Sequence, residues 1–276
     1  MTSTRTIRLL IALGLSGLAG CGDSNAATTA SGTGMLSVRL TDAPIDNVQS
    51  AQVWISKVYL IGGADTVSSR IAISSTPQQF ELLSLQNGVT AALGSAVIPV
   101  GTYSQMRLIV DSAKVTLKAP LTFADGSASK TLVVPSGMQT GVKVNFQSAV
   151  QVTPGETILV ADFDVSRSFV LTGVRTAPNG ALFKPVLHAT VQNVAASIGG
   201  VVTPAASKAS LAAVTTSGDT VATALADTLT GAYKLRFLAP GTYTVSVLGT
   251  ATGSTLVGSK SVAVRAAQDT TGVNFP

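Results

Sequence analysis

At 276 residues the chain has room for about two domains, because single hydrophobic cores stop growing near that size. Apolar residues make up 46% of it and charged residues only 11%, against roughly 25% charged in ordinary soluble domains, which excludes disorder of the whole chain and leaves Ser, Thr, Asn and Gln to supply the polar surface. The formal charge of +5 includes Arg5 and Arg8 at the extreme N-terminus and contains no run of Lys or Arg, so nucleic acid is excluded as a partner, since phosphate binding needs a clustered basic patch.

Residues 1–20 have the three parts of a signal peptide: the basic start, an apolar stretch from Leu9 to Leu18, and small residues before a cleavage point. The apolar stretch is too short to span a bilayer, which takes about 20 residues. Leu18-Ala19-Gly20-Cys21 matches the bacterial lipobox, in which the cysteine receives a diacylglycerol, so the expectation is a lipoprotein cleaved before Cys21 and attached to a membrane through it. Cys21 is the only cysteine, which excludes a disulfide framework and leaves no thiol for catalysis or metal binding. Gly22, in place of an Asp, favours the outer membrane where the organism has one. Residues 21–34 are small and polar and read as the lipidated cysteine and a flexible tether.

From Met35 the pattern changes to short alternating runs, the mark of half-buried strands. Leu36, Val38 and Leu40 alternate with Ser37, Arg39 and Thr41. Further runs cover 52–61, 103–111, 114–117, 131–134, 142–152, 157–165 and 182–194. Turn residues separate them, among them Gly62-Gly63, Asp125-Gly126, Pro154-Gly155 and Pro178-Asn179-Gly180. A short helical turn is allowed near 82–93. Many short strands at even spacing predict an all-β fold: a β-sandwich-like first domain over 35–194. A smaller second domain, 195–276, opens with Gly199-Gly200-Val201-Val202, continues through 212–216 and 233–237, and closes with Gly272-Val273-Asn274-Phe275. Its Pro240-Gly241-Thr242-Tyr243 element, like Val100-Gly101-Thr102-Tyr103 in the first domain, places a turn directly before a strand that begins near a tyrosine. That arrangement suits a tyrosine corner, and both Tyr103 and Tyr243 read as structural.

With these residues in view, 35–194 resembles the lipoprotein domain catalogued as domain-of-unknown-function family 4382. The resemblance rests on Leu40-Thr41-Asp42-Ala43-Pro44, Leu82-Leu83-Ser84-Leu85-Gln86-Asn87-Gly88 and Gly101-Thr102-Tyr103-Ser104-Gln105-Met106-Arg107-Leu108. It continues through residues 134–143, Asp162-Phe163-Asp164-Val165-Ser166-Arg167-Ser168 and Lys184-Pro185-Val186-Leu187. It implies an envelope lipoprotein and brings no activity. Residues 198–276 resemble the immunoglobulin- or prealbumin-like sandwich known as a carboxypeptidase regulatory-like module, which implies a spacer or adhesive unit rather than a catalyst.

Candidate chemistry is sparse. His188, the one histidine, falls in phase with Lys184, Thr190 and Gln192, opposite Phe183, Leu187, Ala189 and Val191, and is expected on a polar face. A general base needs an orienting partner and a nucleophile, and the sequence supplies neither beside it. One histidine without a free cysteine also disfavours zinc. Asp162 and Asp164, two apart on one strand, project from one face about 7 Å apart. Asp42 and Asp111, each at a predicted strand end, are candidates for the same rim. Four such carboxylates make a calcium site one reading, since Ca²⁺ takes about six to eight oxygen ligands. The other reading is structural, with Asp42 capping a turn and Asp164 paired with Arg167 or Arg107. Trp54, in phase with Gln52, Ser56, Val58 and Leu60, is expected between sheets, with an outward sugar-stacking platform as the alternative.

The sequence therefore predicts a non-catalytic binding or scaffolding module of the cell envelope, anchored by lipid on Cys21, with an envelope protein or glycan as partner. A carbohydrate- or matrix-binding surface protein, calcium-stabilised in one version, and an accessory subunit of an envelope enzyme or transporter are the alternatives. The aromatic content of 5% weighs against the glycan.

Overall fold

The computed structural model describes residues 32–43, 47–62, 70–134, 140–174, 176–205, 209–249 and 255–276. The signal segment, Cys21 and nearly all of the expected tether lie outside the described residues. The strands in chain order are β1 (Thr33–Ala43), β2 (Val48–Gly62), β3 (Arg70–Ser74), β4 (Gln78–Glu81), β5 (Ala91–Pro99), β6 (Gly101–Leu117), β7 (Ser129–Leu132), β8 (Val142–Phe146), β9 (Val150–Val152) and β10 (Glu156–Asp164). A single helical turn, α1 (Val165–Ser168), leads into β11 (Phe169–Val174), β12 (Ala177–Phe183) and β13 (Leu187–Val191).

One sheet runs β3-β2-β6-β8-β13-β10-β1-β5, with β4 on β2 and with β7 and β9 on β6. Its two ends meet: a Cβ on Gly94 of β5 would lie 2.6 Å from the Ser74 Cβ of β3. Gln78 beside this seam donates through Nε2 to Leu93 O at 3.4 Å. The curled sheet closes over one core that includes Leu36, Leu40, Leu60, Tyr103, Met106, Leu108 and Phe163. β1 is an interior strand, parallel to β10 on one side and antiparallel to β5 on the other. Its alternation therefore buries Leu36, Val38 and Leu40 against that core. β11 and β12 form a separate two-stranded ribbon, tied in by Phe169 and Phe183, whose rings pack toward Phe163.

Several sequence expectations are corrected. The runs 103–111 and 114–117 form one strand, β6, because β2 beside it absorbs the mismatch in register shifts at Trp54/Ile55 and Ile55/Lys57. The same irregularity flips the inward phase of β2, so that Val53 and Ile55 are buried before it and Val58 and Leu60 after it. Trp54 is thereby separated from Val58 and Leu60; it lies half-buried on the other face, opposite Gln79 of β4 and Ser112 of β6. The run 142–152 is two strands, β8 and β9. The run 182–194 divides at Lys184-Pro185, where proline offers no N–H to a ladder, and its halves join different sheets. Only Leu82–Leu85 of the allowed helical turn forms, as 3-10, and Ala91–Pro99 is a strand. Pro178-Asn179-Gly180 lies within β12 rather than at a turn.

The second unit contains β14 (Ala196–Val201), β15 (Ser210–Thr215), β16 (Thr220–Leu225), β17 (Ala232–Leu238), β18 (Gly241–Gly249), β19 (Thr255–Val264) and β20 (Asp269–Thr270). A three-stranded sheet, β17-β14-β20, faces a four-stranded one, β16-β15-β18-β19. Between them lies a separate core that includes Ile198, Leu211, Leu235, Tyr243, Val245 and Phe275. The molecule is thus all-β and sandwich-like. No helix among the described residues is long and apolar enough to cross a membrane.

Candidate functional site

The site is built where the two units touch. In the sheet register Thr41 of β1 lies beside Asp162 of β10, which in turn lies beside His188 of β13. Directly opposed residues share a face, so these three side chains line the outer surface of the first sheet. Asp42, one residue on, continues the inward stripe of Leu36, Val38 and Leu40 and sits opposite Phe163. Over that outer surface lie β16, packed on β1 and β10, and β17, packed on β13. Polar contacts from Gln147 and Arg167 help hold the units together. Gln147 donates from Nε2 to Phe237 O at 3.0 Å and accepts from the Ala239 N–H at 2.8 Å. Arg167 donates to Thr220 O at 3.1 Å.

Beside this contact opens a cleft of about 490 Å³. Thr41, Asp42 and Asp162 contribute one wall, Thr223, Asp227, Lys234 and Arg236 the other, and Asn87-Gly88 part of its lining. Asn87 and Gly88 both have left-handed backbones, φ 59° and 88°. A Cβ on Gly88 would meet the Arg236 side chain at 3.3–3.6 Å, so glycine there lets the guanidinium lie against the turn. Lys234 is committed to Asp269 at 2.7 Å. Asp227 is committed to its own turn, accepting from the Leu229 and Thr230 N–H groups.

The buried carboxyls are strongly perturbed. Asp42 accepts from Gln86 Nε2 at 3.4 Å and from the Val165 N–H at 3.3 Å. Burial nevertheless pushes its carboxyl well above the usual range, aided by the charges of Asp162 and, less, Asp164. Asp162 is half-buried as a residue, but its Oδ1 is sealed from solvent without a hydrogen-bond partner. Burial, then the nearby Asp164 charge, pushes its carboxyl up to about 7. Asp164 is spent structurally: its Oδ1 caps α1, accepting from the Arg167 N–H at 3.0 Å and from Ser166 Oγ at 2.6 Å. His188 is only 7% exposed, and its Nε2 is sealed and unpartnered. Burial lowers its imidazole pKa; the Arg167 charge lowers it further, against weaker upward pulls from Asp164 and Asp219. Thr190 Oγ1 and Thr223 Oγ1 are likewise buried without partners.

The candidates from sequence thus divide. Asp42, Asp162 and Asp164 come together at the ends of β1 and β10. Asp111 does not join them: it stands within β6, exposed, and accepts from Ser56 Oγ at 2.8 Å. Among the described residues no three His, Cys, Asp or Glu side chains are grouped so as to hold a metal ion. The turn that Asp42 was expected to cap at Ala43-Pro44 runs into residues outside those described; Asp42 accepts from the start of α1, and Asp164 meets the backbone of Arg167 rather than a guanidinium. His188 is in phase with Thr190, as its spacing implied, yet that face is buried, because the second unit covers it. Tyr103 Oη donates to Pro99 O at 2.8 Å, and Tyr243 Oη to Ala239 O at 2.7 Å, each to a carbonyl four residues upstream. Sequence reasoning missed Gln147, Thr223 and Arg236, whose roles come from contact between the units and leave no trace in local spacing, and Thr41, whose hydroxyl donates to Leu85 O and Val89 O within the first unit.

A family model described as a domain of unknown function (DUF4382) matches residues 33–185. No curated protein matches significantly. The TIE protein of Bacillus anthracis is 10% identical over 87% of this chain, which spans 33% of that protein, at a TM-score of 0.24. The minor pilin GBS52 of Streptococcus agalactiae is 9% identical, covering 87% of this chain and 94% of the pilin, also at 0.24. The shaft pilin SpaA of Lactobacillus rhamnosus GG is 10% identical, covering 87% and 96%, at 0.23.

Proposed function

The chain belongs to the domain-of-unknown-function family DUF4382, and on that footing we propose that it is a non-catalytic binding or scaffolding lipoprotein of the cell envelope, anchored through Cys21. The observation that carries this reading is the joint itself. Two separately cored β units meet beside a polar cleft, and the one histidine, outside the lining of that cleft, is sealed with Nε2 unpartnered. A general base must reach a nucleophile or substrate proton at hydrogen-bond distance, and His188 is placed for neither. Asp162 and Asp42 belong to adjacent strands on one wall of the cleft, which is not the facing pair that a glycosidase requires. The lipobox Leu18-Ala19-Gly20-Cys21 supports the anchor and the envelope location, the outer membrane being favoured. The separate two-sheet core of 196–275 supports reading residues 195–276 as a prealbumin-like module that serves binding rather than chemistry.

In-cell crosslinking of the intact protein tests this directly. One dominant envelope protein attached to it is the expected result; crosslinks scattered over abundant neighbours in proportion to their abundance would end the scaffold reading. The anchor has its own test. Cys21→Ser is expected to abolish incorporation of radiolabelled fatty acid and move the protein from the membrane to the soluble fraction, and a variant still labelled would refute lipidation at this residue.

A further inference from the structure

We propose that the free edge of β11 receives an extended segment of a partner protein by strand addition, a segment that alternates apolar and polar side chains and carries acidic residues at its ends. The assignment rests on the binding reading above and names the chemistry of the partner. β11 pairs with β12 alone. The Lys184 N–H donates to Ser168 O at 2.8 Å, which sets the alternation of the ladder. Val170 and Thr172 exchange hydrogen bonds with Leu182 and Gly180, and Leu171 between them turns its N–H and C=O away from β12. On that outer side the Phe169 N–H is taken by Val165 O. No backbone group meets those of Leu171 among the described residues.

This edge carries none of the devices that ordinarily blunt one. Sheet edges are guarded by charge or proline, and Phe169-Val170-Leu171-Thr172-Gly173-Val174 contains neither. The inner residues, Phe169 and Leu171, pack on the core of the first unit. On the outer face Val170 and its direct neighbour Leu182 are 37% and 48% exposed, and Val174 near the tip of the ribbon is 67% exposed. An open row of main-chain groups gives strand addition its affinity, and apolar side chains at alternate positions give it specificity. Charge selects the occupant. Residues 165–218, which include α1, β11 and β12, contain no Asp or Glu, while Arg167 and Lys184 stand exposed at the base of the ribbon. An acidic segment answers those cations; a second copy of this chain would bring no carboxylate on its own β11. An edge this short makes a contact far below the roughly 1,600 Å² of a stable complex, so the affinity expected is that of a transient one.

The test uses the full chain in non-ionic detergent and three capped peptides: one alternating Val and Thr with Glu at each end, the same with Lys at each end, and the Glu-ended peptide with a central Pro. The Glu-ended peptide is expected to bind with a Kd between about 10 μM and 1 mM. The Lys-ended peptide should bind about tenfold more weakly. So should the Pro-containing one, which lacks an N–H for the ladder. Hydrogen exchange should show the Leu171 amide slowed by the Glu-ended peptide. Lys184→Glu, at an exposed position, should reverse the order of the two charged peptides, and Val170→Thr should weaken both, with thermal unfolding confirming that each variant is folded. No saturable binding of the Glu-ended peptide at millimolar concentration, equal binding of the Pro-containing peptide, an unprotected Leu171 amide, or self-association of the chain through β11 without peptide would each overturn the proposal. These titrations do not depend on crosslinking in cells, so the strand-addition site and the scaffold reading fail separately.

Discussion

A carboxyl without a partner makes this protein's stability depend on pH in a direction opposite to that of most acidic residues. Asp162 has its pKa raised from the ordinary 3.8 to about 7. Such a group contributes stability that is fully present below the unfolded value and lost as pH rises through the folded one. The melting temperature is therefore expected to fall between about pH 4 and pH 7 and then level off, a course that differential scanning calorimetry can follow. Asp42, raised by burial and by the Asp162 charge, tilts the curve the same way. Asp162→Asn should flatten it, gaining roughly 1–3 kcal/mol above pH 7 and nothing near pH 4, after discounting the pKa shift for partial solvent access. An unchanged slope in the variant would show that the carboxyl is solvated. His188 acts in the other sense: its lowered pKa means stability held above the unfolded value of 6.5 and lost as pH falls through the folded one. His188→Gln should therefore remove part of any acid-side loss. The two tyrosine hydroxyls are simpler. Tyr103→Phe and Tyr243→Phe each delete a bond to a carbonyl four residues back and are expected to cost about 1 kcal/mol in denaturant unfolding.

Elements explain what was legible in the sequence and what was not. β1 and the P-G-T-Y strand β18 were readable because each alternates, and β10 because its apolar run Ile158–Ala161 starts just after the Pro154-Gly155 turn; both are local properties. β2 misled because an irregularity near Ser56 changes its inward phase midway, turning one stripe, Trp54-Ser56-Val58-Leu60, into two half-stripes. No composition rule marks such a bulge; it is fixed by the neighbouring β6. β5 was missed for a related reason: Ala91, Ala92, Gly94, Ser95 and Ala96 are too small to declare a face. Their smallness has a use in the fold, where the end of the sheet must close onto β3. Gly94→Val is expected to force that seam apart, since a Cβ there already collides with Ser74, at a cost of about 1–3 kcal/mol. Chemical denaturation measures it, and a loss no greater than that of an exposed strand substitution would mean the seam has room. At the site, the Asp pair on β10 was readable from spacing. The burial of His188 was not, because the strand cannot announce that a second unit will cover its polar face.

Across the whole molecule, the joint rests on few polar contacts among the described residues, of which Gln147 makes three. Gln147→Ala deletes its bonds to Phe237 O and from Ala239 N, with the longer one from Tyr243 Oη, and is expected to weaken the docking by about 1–3 kcal/mol. Small-angle scattering should then show a larger radius of gyration, and calorimetry two resolved transitions in place of one. An unaltered scattering curve would mean that apolar packing alone fixes the arrangement. The pairing of β1 has a consequence for the order of events during synthesis. Its register joins Met35 to Glu156 and Leu40 to Ala161, so the first strand made cannot complete its ladder until more than half the chain exists. Contacts of such long span are slow to form and leave strand edges open meanwhile. A nascent chain shorter than 156 residues holds Leu36, Val38 and Leu40 beside an unfilled edge, an invitation to chaperones and to like chains alike. Commitment to the native topology is thus made late, by β10, and the chain's opening strand is stapled into place by a segment that emerges long after it.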